Sequence, residues 1–94
     1  MKSIYKYTLG PAGRQTIDIP TGFKVRHVGP QRVTSATMEG IQLWAEVDPN
    51  APTVAATFEM AGTGHPVPVT GIYCGTAVMG DGFIWHIYLV GTAP

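Results

Sequence analysis

The stretch Gly62-Thr63-Gly64-His65-Pro66 holds the most binding chemistry in this chain. Its glycines let backbone N–H groups approach an anion closely, and Thr63 and His65 add side-chain donors. It lacks the Lys-Ser/Thr ending of a Walker loop. The same residues also fit a conformationally demanding turn in which His65 satisfies backbone groups. Lys24 and Arg26 stand two residues apart on an alternating stretch, which places them on one strand face about 6.5–7 Å apart, close enough to reach the phosphates of one ligand. Trp44 is flanked by Gln42 and Glu46 on the polar side of its own stretch, and Tyr5 and Tyr7 lie near the start of the chain. Rings so placed can stack on a base, worth about 1–3 kcal/mol each, or join subunits. The candidate ligand-binding set is therefore Tyr7, Lys24, Arg26, Trp44, Thr63, Gly64 and His65.

Other chemistries find less support. A metal site needs three or four converging ligands, and His27, His65, His86 and Cys74 show no close pair at His-x-His or i, i+4 spacing. No Gly-x-Ser-x-Gly elbow is present, the serines are only Ser3 and Ser35, and Cys74 sits in an apolar stretch that should raise its pKa. The repeated His-x-Ser/Thr of a two-histidine phosphodiesterase is absent as well. No enzymatic activity, metal or cofactor is expected. Trp85-His86 could present a stacking ring or a polar edge to a base, but such a pair in an apolar strand is more often a core tryptophan with one satisfied imidazole, and His27 stands closer still to that structural role.

The elements that carry these residues are short strands. Twelve glycines and eight prolines punctuate apolar-rich stretches of six to nine residues. Ile4 to Leu9 alternates, as does Gln15 to Ile19 with Ile17 and Ile19 inward, and the two are expected to form a hairpin. In Phe23 to Val28, alternation puts Phe23, Val25 and His27 on one face and Lys24, Arg26 and Val28 on the other. Arg32 to Gly40 is open between a strand and a structured connection. Ile41, Leu43, Ala45 and Val47 mark one core face and Val54, Ala56, Phe58 and Met60 the next, with Asp48 to Pro52 as the turn of a second hairpin. Ile72 to Met79 and Phe83 to Val90 form a third, joined by Gly80-Asp81-Gly82. The last strand is apolar on both sides, so it is either central or part of an interface. The expected architecture is one all-β domain over residues 1–94, a small antiparallel β-sandwich or barrel of about six or seven strands.

Composition sets the remaining bounds. A chain of 94 residues buries roughly 60–65% of its unfolded surface. With a lone Cys74 there is no internal disulfide to stiffen so thin a core, and a homo-oligomer, a dimer or tetramer, is expected. No apolar run approaches the roughly 20 residues of a membrane span, and Met1-Lys2-Ser3 leads into alternation rather than a signal peptide, so a cytoplasmic protein is expected. Net charge is zero but segregated: six basic residues and only Asp18 fall in residues 1–32, whereas five acids and no Lys or Arg follow. Either early and late strands neutralise each other across a sheet, or part of the basic half receives an anion. The zero total argues against duplex nucleic acid.

The blocks Ile4-Tyr5-Lys6-Tyr7, Ile17-Asp18-Ile19-Pro20-x-Gly22, Leu43-Trp44-Ala45-x-Val47-Asp48-Pro49, Gly62-Thr63-Gly64-His65-Pro66, Tyr73-x-Gly75-Thr76 and Phe83-Ile84-Trp85-His86 resemble a family of small phage proteins, from Ile4 to about Tyr88. The stretch from Gly29 to Gly40 departs from it, being longer than the short turn expected there. That family is in turn similar to the phage anti-CBASS sponges, oligomers that sequester cyclic dinucleotide signals of bacterial immunity without cleaving them. The resemblance implies a non-catalytic phage protein, working in the host cytoplasm, that binds a cyclic dinucleotide. A different class also fits: a phage structural or accessory protein whose exposed aromatics contact another protein.

Overall fold

A computed structural model describes all residues of the chain except 11–12, 33–38 and 81. Seven strands succeed one another: β1 (Ser3–Leu9), β2 (Gly13–Pro20), β3 (Lys24–Arg32), β4 (Glu39–Val47), β5 (Thr53–Gly62), β6 (Ile72–Val78) and β7 (Ile84–Ala93). They form two antiparallel sheets, one ordered β1-β4-β3 and the other β2-β5-β7-β6. The described residues contain no helix, so none is long and apolar enough to cross a membrane.

Alternation with period two gives most of the strands one apolar face, and both sheets bury theirs in a single core. Ile41, Leu43, Ala45 and Val47 of β4 join Ala56, Phe58 and Met60 of β5, Ile19 of β2 and Ile87 of β7. Phe58 is completely buried, and Phe23 meets its ring at a centroid distance of 6.3 Å. Burial of one such side chain stabilises by about 1.5–3 kcal/mol. The doubly apolar β7 lies between β5 and β6, which makes it the central strand that its composition allowed.

Two of the three expected hairpins are not formed. β1 pairs with β4 and β2 with β5, because the connections after β1 and after β4 cross from one sheet to the other. The second crossing closes on itself. The Asp48 carboxylate accepts from the Asn50 N–H and the Asp48 carbonyl from the Ala51 N–H, both at 3.0 Å. Pro52 then has no N–H with which to start a ladder, and its carbonyl accepts from the Thr21 N–H at 2.8 Å. Only β6 and β7 form the hairpin expected of them. The remainder of the first crossing, Pro11-Ala12, lies outside the described residues, as do Asp81 and residues 33–38 of the ambiguous stretch.

Candidate functional site

Trp44 occupies the middle of the outer face of β1-β4-β3. Across β4 its partners are Lys6 on one side and His27 on the other, and the His27 and Trp44 rings lie 5.3 Å apart, tilted by 44°. Two residues along β4, on the same face, Glu46 pairs with Ile4 and Lys24. Its Oε1 accepts from Arg26 Nη2 at 3.1 Å and Nε at 3.3 Å, and Lys2 Nζ is 3.8 Å from Oε2. The Arg26 guanidinium, first by its hydrogen bonds and then by its charge, holds the Glu46 carboxyl below its ordinary pKa, with Lys2 and Lys24 adding to the effect. The ion pair therefore supports the fold above the ordinary carboxylate range and loses that support as pH falls through the lowered value.

A β-bulge creates this arrangement. Lys24 faces Glu46 and Val25 faces Ala45, but the next paired residue is His27, opposite Trp44, so Arg26 is the extra residue. The bulge shifts the phase of β3. His27, expected on the inner face with Phe23 and Val25, is exposed beside Arg26, while Val28, expected outside, is 3% exposed and lies in the core.

The Gly62-Thr63-Gly64-His65-Pro66 block begins at the end of β5, in the other sheet. The His65 N–H donates to the Gly62 carbonyl at 3.0 Å, and Gly64 holds a φ of 88°, a turn angle natural to glycine. The imidazole lies over Gly62: a Cβ there would sit 2.9 Å from His65 Nδ1 and 3.5 Å from Trp85 Cζ3. Register accounts for the meeting, since Gly62 is opposite Trp85 in the β5–β7 ladder. Around them is a cavity of about 360 Å³ lined by Gly62, Thr63, His65, Gly82, Phe83, Ile84 and Trp85. The Phe83 and Trp85 rings stack at 6.2 Å with 26° between their planes. Thr63 is fixed from the sheet side, its hydroxyl bonded to His86 Nε2 at 3.1 Å. His86 Nδ1 is bonded to the Thr76 hydroxyl at 3.1 Å, and Tyr73 Oη bonds that hydroxyl in turn.

The seven candidate residues therefore divide. Lys24, Arg26 and Trp44 share one outer face; Thr63, Gly64 and His65 share a loop on the other sheet. Tyr7 belongs to neither group, because it pairs with Leu43 and packs on the core side of β1. Burial, then Tyr5, pushes its phenol above the ordinary pKa. Alternation had no means of adding His27 or Lys6 to the first group, or Phe83 and Trp85 to the second. Part of the charge segregation is neutralised between early and late strands: Arg14 pairs with Glu59 across β2 and β5 at 2.6 Å, and Arg26 and Lys2 pair with Glu46.

Burial pushes the Cys74 thiol above its ordinary pKa, and it donates to the Ile72 carbonyl at 3.5 Å. Among the described residues no group of three or more His, Cys, Asp or Glu is placed to hold a metal ion, and no buried side-chain nitrogen or oxygen lacks a partner. A family model described as a domain of unknown function matches residues 1–93. No curated protein and no solved structure matches the chain.

Proposed function

The chain belongs to the DUF7352 family, and from the chemistry of its own surface we propose that it binds an anionic nucleotide without cleaving it, most concretely a cyclic dinucleotide. One observation carries this reading: Lys2, Lys24 and Arg26 gather around one carboxylate, Glu46, beside the Trp44–His27 ring pair. Three cations around one carboxylate give the group a net charge of +2. A cyclic dinucleotide brings two negative charges, which such a face can match, and a base for Trp44 to stack on. A duplex brings one charge per ~1.7 Å of axis, more than a neutral chain offsets. In the host cytoplasm of an infected cell, binding without turnover would act as sequestration of an immune signal.

Calorimetry against a panel of cyclic di- and trinucleotides tests the proposal. Saturable binding that weakens as salt rises is expected, with the nucleotide recovered intact by chromatography. Absence of binding across the panel, or recovery of a hydrolysed product, would overturn it. Glu46 competes with the ligand for Arg26, so Glu46→Gln should tighten binding at neutral pH. Weaker binding by that variant would mean that Glu46 positions Arg26 and does not compete for it.

The rival reading, contact with a protein, is favoured by a second observation. Val67, Val69, Ile72, Tyr73 and Val78 are all exposed large apolar side chains, drawn from a 12-residue stretch on and beside the edge strand β6. We assign that surface to a second copy of the chain. Residues 60–94 carry a single charged side chain, Asp81, so two copies can meet there with little repulsion. Sedimentation at micromolar concentration should show a dimer or tetramer; a 10 kDa monomer alone would contradict the assignment.

A further inference from the structure

We infer that the cavity between the β5–β6 loop and the β6–β7 turn is a second binding site, one that takes the uncharged planar heterocycle of a nucleoside and leaves phosphate outside. Its walls supply the first argument. Phe83 and Trp85 stand nearly parallel at 6.2 Å, and the His65 imidazole is held over Gly62 beside the Trp85 ring. Flat aromatic walls with a few polar groups favour a flat guest that carries hydrogen-bonding edges. A volume of about 360 Å³ falls within the range of small-molecule sites and accommodates a base with its sugar.

Charge supplies the second. None of the described lining residues is a lysine or arginine, and residues 60–94 contain neither. A phosphate drawn into this cavity would lose water without gaining a cation, a cost that a neutral ring avoids. The loop's glycines thus find their use in close packing: Gly62 admits the imidazole, where any Cβ would collide with it.

Rigidity supplies the third. Thr63 is bonded to His86, His86 to Thr76, and Thr76 to Tyr73, so the loop is tied across β7 to β6 before any ligand arrives. Pre-organisation of this kind lowers the ordering cost of binding. The site is independent of the cationic face around Trp44, and each contains one of the chain's two tryptophans.

That separation makes the test direct. In Trp44→Phe, Trp85 is the only tryptophan, and its fluorescence should respond saturably to adenosine, with little change between low and high salt. AMP, the same ring with a phosphate, should bind more weakly than adenosine. Phe83→Ala in this background should weaken adenosine binding about tenfold, the loss expected of one stacked ring, with an unchanged melting temperature confirming the fold. Three results would overturn the inference: no response to adenosine, guanosine, cytidine or uridine at millimolar concentration; tighter, salt-sensitive binding of AMP, which would make the loop a phosphate site; or a Phe83→Ala variant that binds as the parent does. Cyclic dinucleotide binding is read separately through Trp44 in Trp85→Phe, so either site can fail without obscuring the other.

Discussion

Gly75→Ala is expected to destabilise the fold by about 2–4 kcal/mol, combining the costs of overpacking and of a strained backbone angle. Gly75 follows the bulge in β6 that leaves Cys74 unpaired, and its φ is 157°. A Cβ added there would lie 2.5 Å from Cγ2 of Val28. Val28 cannot easily yield: it is 3% exposed, part of the core, and stiff at χ1 because it is β-branched. The contact also joins the two sheets, since β3 and β6 are the end strands of their respective sheets and approach each other here. Urea unfolding should show a lower midpoint at unchanged slope. The mechanism predicts a specific rescue. Val28→Ala alone leaves a cavity and destabilises, but the double variant Val28→Ala/Gly75→Ala should be more stable than the sum of the single effects by at least about 1 kcal/mol, because the colliding methyl is gone. Simple additivity would place the cost of Gly75→Ala in the backbone angle alone.

The same joint shows why some of this fold is legible in the sequence and some is not. Period-two alternation identifies faces. It is unambiguous in Ile41-Leu43-Ala45-Val47 and in Val54-Ala56-Phe58-Met60, and those residues form the core, with Val54 packed against it. The double apolarity of β7 likewise marks a central strand. Alternation does not identify partners, however. Nothing in Ile4 to Leu9 says that it will pair with β4 and leave β2 to the other sheet, so the approach of Lys6 to Trp44 is invisible until the ladder is known.

A bulge defeats alternation altogether, because one unpaired residue reverses every later assignment on the strand. Arg26 does this in β3, which is why His27 lies against Trp44 and Val28 is buried. Bulges also interrupt β5–β7 and β6–β7. The loop block and the Phe83-Ile84-Trp85-His86 block are each conspicuous in the sequence, yet their union depends on the register that sets Gly62 opposite Trp85. The sequence offers types of residue; the bulges and registers decide which of them meet.

Arg26→Ala should weaken nucleotide binding by about 1.5–3 kcal/mol, the worth of a charge-assisted hydrogen bond, while changing stability by under about 1 kcal/mol. The two effects separate because Arg26 is the bulged residue. Its backbone is outside the regular ladder and its side chain is half exposed, so the fold asks of it only the ion pair with Glu46. Such exposed pairs contribute little to stability. For a bound anion the same guanidinium offers a planar fork of donors beside the His27–Trp44 rings. Arg26→Lys should therefore recover part of the affinity, through charge, and not the rest, which depends on two parallel hydrogen bonds. Lys24→Ala should act in the same direction as Arg26→Ala, and both losses should shrink as salt rises because the face is open to solvent. Calorimetry with the best-bound cyclic dinucleotide, paired with thermal melts of each variant, reads both quantities at once. If Arg26→Ala and Lys24→Ala hold the nucleotide as tightly as the parent protein, this face is not the binding site, and the cations around Glu46 serve only to pair the strands.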